Sequence, residues 1–232
     1  MATTDSQPLY EIMRTTFAAR TFTDTPVSDA QVYRILESAR FAPSGGNRQG
    51  WKVVVVRSQE TRDQLLPLIR PTWQRYLAQR KAGENPWNTI VPTALSPEEI
   101  EATPINEAGL LSMINAPVLL FVFVDLSVVA SMDSMLDRVG LISGCSIYPF
   151  VWNILLAARN EGLGGVTTTF LAPAEAEVQA LLGVPSHHAL ATMIPLGEPT
   201  QTLTRLRRAA VETFTTLERS DGPALTSDPD AA

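Results

Sequence analysis

The sequence predicts a protein of mixed helix and strand, and three observations carry that prediction. Four runs rich in apolar or β-branched residues, Trp51 to Val56, Pro117 to Val124, Val166 to Phe170 and Ala189 to Ile194, have the length and composition of strands. Between them, apolar residues recur at helical spacing. Hydrophobic residues make up 45% of the chain and charged ones 18%, a globular balance that can fill a core between helices and strands.

Residues 1 to 7 read as a loose start. Leu9, Ile12, Met13, Thr16 and Phe17 predict a first helix to about Ala18. Ser28 and Gln31 form a capping box, each side chain satisfying an orphan amide of the other's main chain. Val32, Ile35, Leu36 and Ala39 give that second helix one apolar stripe, and Pro43 ends it. Trp51 to Val56, with four valines in a row and no alternation, reads as a fully buried strand. The polar stretch Ala42-Pro43-Ser44-Gly45-Gly46-Asn47-Arg48-Gln49-Gly50-Trp51 is thereby pinned between two rigid elements. Its paired glycines allow close approach to the main chain. Ser44, Asn47 and Gln49 supply a hydroxyl and two amides, which both donate and accept. The stretch is either a plain turn or a binding loop.

Glu60 to Leu66 and Thr72 to Lys81 read as two helices separated by Pro71. Residues 83 to 105 carry Pro86, Pro92, Pro97 and Pro104 and no clear period, as a functional cover or mobile loop does. Trp73, Tyr76 and Trp87, in or near it, either anchor this insertion to the core or line a lid over a flat substrate. After the second strand, Asp125, Asp133, Asp137 and Arg138 read as helix-start and surface charges, since no histidine accompanies them at ligand spacing. Cys145, at the start of a helix patterned by Ile147, Phe150, Val151, Ile154, Leu155 and Ala158, reads as a buried, inert thiol. Gly162, Gly164 and Gly165 stop that helix. They follow a helix and not a strand, so a dinucleotide fingerprint is rejected. Pro173, Glu175, Glu177 and Gly183 frame another helix. His187 and His188 stand side by side with no third ligand visible, so no metal is assigned. Arg205, Arg207 and Arg208 form the only basic cluster, with Val211, Phe214 and Leu217 continuing a helical stripe behind it. They read either as a phosphate-binding group or as a solvated helix face. Residues 220 to 232, rich in Asp, Pro, Ala and Ser, read as a disordered tail behind a single domain over residues 1 to 219.

A net charge of −6 argues against a nucleic-acid partner. The longest apolar run, Ala116 to Val124, is too short to span a bilayer, so no membrane partner is expected. With Cys145 as the only cysteine no intramolecular disulfide forms, and a cytoplasmic location is expected. The order of motifs carries more. Arg20-Thr21-Phe22, Pro26-Val27, the Pro43-Ser44…Asn47…Gln49…Trp51 loop, Glu161-Gly162-Leu163-Gly164-Gly165 and Leu182-Gly183-Val184-Pro185 leading to Leu196-Gly197 together resemble the FMN-dependent nitroreductase family over roughly residues 8 to 214. Residues 57 to 115 match it only loosely.

The resemblance implies an α+β fold, a mixed and mostly antiparallel sheet flanked by helices, paired into a homodimer with FMN at the subunit interface. It implies that Ser44, Gly45, Asn47 and Gln49 hold the flavin ring and ribityl chain. Thr167, Thr168 and Thr169 lie along the flavin edge, where a backbone amide meets N5. Arg20 lies on the phosphate or ribityl side, and Arg207 or Arg208 binds the phosphate. Thr16 and Ala18 stand where the family has Arg and Ser, a departure for which Arg14 is a candidate substitute. No Ser-His-Asp, Cys-His or Walker arrangement is present, as expected where a cofactor carries the redox step. The implied reaction is a ping-pong cycle from NADH or NADPH to a nitroaromatic or quinone acceptor. Two alternatives stay open: another reaction on the same scaffold (flavin fragmentation, dehalogenation or enoyl reduction), or a non-enzymatic flavin-binding or storage protein.

Overall fold

A computed structural model describes residues 9–227. Strands β1 (Trp51–Val56), β2 (Val118–Asp125), β3 (Gly164–Gly165) and β4 (His188–Gly197) form one antiparallel sheet in the order β1-β2-β4-β3. An isolated parallel bridge between Ala18 and Gly165 makes the pairing mixed. The α+β architecture expected from the sequence is the one observed.

The central strand β2 organises the core. All its residues but Asp125 are buried, and they alternate between faces. Val118, Leu120, Val122 and Val124 pack with α2 (Asp29–Ala39) and α6 (Tyr148–Asn160). Leu119, Phe121 and Phe123 pack on the opposite side with α3 (Gln59–Lys81), α5 (Glu107–Ile114) and α7 (Glu175–Leu182). The buried Arg62 of α3 ties that side together. Its guanidinium donates to the carbonyls of Ile114, of Ala116 (2.8 Å) and of Pro117 (3.4 Å), so α3 is riveted to the α5–β2 junction.

Several elements differ from expectation. β1 pairs on one side only, and of its residues only Val56 is buried; the valine run makes an edge strand and not a central one. The two helices expected around Pro71 are a single 23-residue α3 with Pro67 and Pro71 inside it. Both prolines are exposed, so the carbonyls they leave without a donor face water, while Leu65, Ile69 and Thr72 hold the buried face. The irregular stretch contains the short α4 (Pro97–Glu101), started by a Ser96–Glu99 capping box. The strand expected over 166–170 shrinks to the dipeptide β3 and a single bridge from Thr168 to Met193. Pro195, opposite the gap, has no N–H to continue the ladder. The first helix, α1 (Leu9–Thr15), stops short of Ala18. Cys145 is exposed in a 3₁₀ turn before α6, and not buried.

The C-terminal segment carries no helical stripe behind Arg205, Arg207 and Arg208, only the 3₁₀ turn Val211–Thr213. Part of the tail expected to be disordered is folded. Thr216 bridges to Ala224, and Leu217 N–H donates to the Pro223 carbonyl at 2.9 Å. The expected loose start at residues 1 to 7 and the tail beyond Ser227 lie outside the described residues.

Candidate functional site

Helix α3 presents Trp73, Tyr76 and Arg80 along one face, at the i, i+3, i+7 spacing that aligns side chains. Trp73 and Tyr76 stack at 5.6 Å, and both meet the edge of Phe170, at 5.0 and 5.4 Å. This aromatic wedge forms one wall of a cavity of about 770 Å³. That volume lies within the range of small-molecule sites.

The rim is Trp87, whose φ of 57° is a strained value for a bulky residue. Surrounding bonds hold it there. The Arg75 guanidinium lies 4.2 Å from the Trp87 ring centroid, and the Trp87 main-chain N–H donates to Gln79 Oε1 at 3.3 Å. The Glu84 carboxylate accepts from Thr93 Oγ1 (2.6 Å), Ala94 N–H (2.8 Å) and Gln79 Nε2 (3.2 Å), bonds that lower its pKa, the Thr93 hydroxyl most. Trp73 and Tyr76 therefore both anchor the wall and line the cavity. The insertion beside them is an ordered rim tied to α3.

Arg20 and Thr167 to Thr169 line the same cavity. Thr168 exchanges both main-chain hydrogen bonds with Met193, at 2.9 Å each way. In an antiparallel pairing the neighbours' main-chain groups then point away from the partner strand, so Thr167 and Thr169 turn theirs from β4. The Thr168 hydroxyl is buried without a partner. Arg20 is exposed beside Ala18, whose carbonyl it contacts at 3.3 Å, and no acidic side chain pairs with it among the described residues.

Two predicted groups are not brought to this cavity within one chain. Ser44, Gly45, Asn47 and Gln49 form an exposed loop elsewhere, closed on itself. Gln49 N–H donates to Ser44 Oγ at 2.9 Å, Gln49 Nε2 to Asn47 Oδ1 at 3.1 Å, and Gly45 N–H to Ser146 Oγ at 3.1 Å. Gly46, Asn47 and Gln49 all have positive φ (61°, 53° and 52°), backbone strain of the kind concentrated at ligand clamps. Arg207 and Arg208 lie exposed on the C-terminal segment and do not line the cavity. That segment leaves β4 alongside Thr21, where Thr200 N–H donates to the Thr21 carbonyl at 3.1 Å, next to Arg20.

Sequence reasoning missed Arg80 and Asn85 on the cavity wall; the i+7 spacing from Trp73 was the available signal for Arg80. It also missed a partner for the two histidines. The fold places Asp125 beside His187 and His188, a third group able to ligate that spacing did not reveal.

A family model described as the Nitroreductase family matches residues 13–198. Nitrobenzene nitroreductase of Ectopseudomonas oleovorans is 28% identical over 228 residues, covering 89% of this chain and 95% of that protein. Iodotyrosine deiodinase 1 of Mus musculus is 26% identical over 210 residues, covering 89% of this chain and 68% of that protein. A solved iodotyrosine deiodinase structure bound to FMN and 3-iodo-L-tyrosine superposes with a TM-score of 0.63 at 24% identity, covering 88% of this chain and 96% of that one. With the family match spanning most of the described residues and the same architecture in a solved relative, this chain belongs to the nitroreductase family.

Proposed function

We propose that the protein is an FMN-dependent oxidoreductase that moves electrons from NADH or NADPH to nitroaromatic or quinone-like acceptors in a ping-pong cycle. One observation carries this reading. Three segments more than 50 positions apart, at Arg20, the Trp73–Tyr76 wedge and Thr167 to Thr169, converge on one cavity wide enough for stacked flat rings. The donor set suits FMN: an unpaired Arg20 for the phosphate or ribityl side and main-chain groups at Thr167 and Thr169 turned away from β4. When bound, FMN supplies the two-electron chemistry that side chains lack. Trp73, Tyr76 and Trp87 bind and orient a flat partner and exclude water from it.

The homodimer belongs to the same proposal. The loop of Ser44, Gly45, Asn47 and Gln49 and the pair Arg207 and Arg208 complete the site when one subunit lends its loop to the other's cavity. Supporting this is an exposed apolar surface where Leu126 and Leu141 lie together with Tyr148 and Trp152 of α6. Patches of this kind mark interfaces.

The deiodinase relative favours a second reading, reductive dehalogenation of a flat phenol in the same cavity. The test is an absorption spectrum of purified protein before and after anaerobic NADPH and NADH, followed by a nitroaromatic, a quinone or an iodophenol with product analysis. Yellow protein bleached by a donor and recoloured by one acceptor class supports the proposal and chooses between the readings. Yellow protein that no donor bleaches favours storage. A colourless protein that neither takes up FMN nor gains thermal stability from it overturns the proposal.

A further inference from the structure

We infer that Asp125, His187 and His188 form a binding site for one divalent transition-metal ion of the zinc, cobalt or nickel class. One ligand atom from each residue lies within 4.8 Å of the others. Ligands about 2 Å from a common ion can stand up to about 4 Å apart, so small side-chain rotations close the site.

The fold explains how neighbours in sequence come to share an ion. Side chains at adjacent strand positions point to opposite faces. His187, however, stands just before β4, where the chain is still turning, and its ring lies 4.4 Å from that of His188 with a tilt of 52°. His188 is paired across the sheet with Asp125, the last residue of β2. The third ligand therefore arrives from 62 positions away in sequence.

The main chain of all three residues is fixed. Asp125 N–H donates to the Gly50 carbonyl at 2.7 Å, Leu126 N–H to the His187 carbonyl at 2.9 Å, and His188 N–H to the Pro185 carbonyl at 3.0 Å. Gln179 Nε2 holds the His188 carbonyl at 2.7 Å. Ser127 orients the carboxylate, its N–H and hydroxyl both donating to Asp125 Oδ1, at 2.8 and 2.6 Å, which leaves Oδ2 for an ion. Outer partners of this kind are what hold metal ligands in place.

A separate observation points to a missing ligand. His188 Nδ1 is buried and has no hydrogen-bond partner, an uncommon state for a buried polar atom. His187 is exposed and gives the ion a way in. Two imidazoles and one carboxylate suit zinc-like ions and not magnesium or calcium, which take oxygen ligands. Through the Asp125–Gly50 bond the ion braces the end of the polar loop at 44–50, so its role is structural.

The test uses untagged full-length protein, stripped with chelator and titrated calorimetrically with Zn²⁺, Ni²⁺ and Co²⁺. The expected result is one ion per chain, a rise in Tm on Zn²⁺ addition, and visible Co²⁺ absorption of a nitrogen- and oxygen-ligated ion. His187→Ala, at an exposed position, is expected to keep the wild-type Tm in chelator while weakening binding by at least about tenfold, that is about 1.4 kcal/mol. His188→Ala and Asp125→Asn are expected to do the same for binding. No saturable binding in the micromolar range overturns the inference, as does stoichiometric binding that survives both His187→Ala and His188→Ala.

Discussion

Thr168 and Met193 exchange both main-chain hydrogen bonds at 2.9 Å, while the Thr168 hydroxyl, buried beside them, finds no partner. A buried hydroxyl left unpaired costs about 1 kcal/mol or more, and valine has the same shape without it. Thr168→Val is therefore expected to stabilise the cofactor-free protein by about 1 kcal/mol, a Tm rise of roughly 2–4 °C. The main-chain pairing that positions the cavity wall survives. A thermal melt of the stripped variant checks this; a fall in Tm would show that the hydroxyl is satisfied.

Arg62 gives the opposite case, a buried cation whose donors are used on three main-chain carbonyls at the α5–β2 junction. Burial lowers its pKa, with the nearby Arg57 charge adding to the effect. Methionine fills much of the volume but leaves those carbonyls without donors. Arg62→Met is expected to cost about 3 kcal/mol and lower Tm by roughly 6–12 °C, read from denaturant and thermal unfolding.

Asp133 makes stability depend on acidity. The Leu141 N–H at 2.7 Å, and after it the Arg138 guanidinium at 2.8 Å, hold its carboxyl down from an ordinary value of 3.8 to about 2. A depressed carboxyl contributes stability above its unfolded pKa and loses it as pH falls through the folded one. Wild type is expected to exceed Asp133→Asn in Tm at neutral pH, with the gap narrowing between pH 3.8 and about 2. Parallel melts across that window decide it. A gap that does not change with pH would mean the charge is not what matters.

Trp87 combines strain with function. Glycine at this position relieves a φ of 57°, worth about 1 kcal/mol or more, and forfeits the contact with Arg75, worth about as much. Trp87→Gly is expected to leave Tm nearly unchanged while raising KM for flat acceptors about tenfold, or about 1.4 kcal/mol, at similar kcat. Steady-state kinetics with one nitroaromatic and one quinone, beside a melt, test both halves.

Wherever the code is local, the sequence was legible. The Ser28–Gln31 capping box starts α2 as read, with Ser28 Oγ accepting from Gln31 N–H at 3.3 Å. Gly183 ends α7 in the left-handed conformation its position predicts, at φ 64°. The apolar run of β2 is central and buried. These features depend on residues within a few positions of one another, and the order of motifs that marks the family is written the same way.

What failed to read is what depends on neighbours distant in sequence. Four valines look alike in a central strand and an edge strand, and only the pairing order put β1 at the edge. Pro67 and Pro71 look like helix breakers until the packing of Leu65 and Ile69 turns both toward water. Arg80 became part of a cavity, and Asp125 a neighbour of two histidines, only when α3 met the Thr167–Thr169 segment and β2 paired with β4. The sequence by itself determined the family and the elements whose signals are local. The tertiary structure decided which polar residues meet, because a side chain's chemistry depends on partners that only the folded sheet brings within a few ångströms.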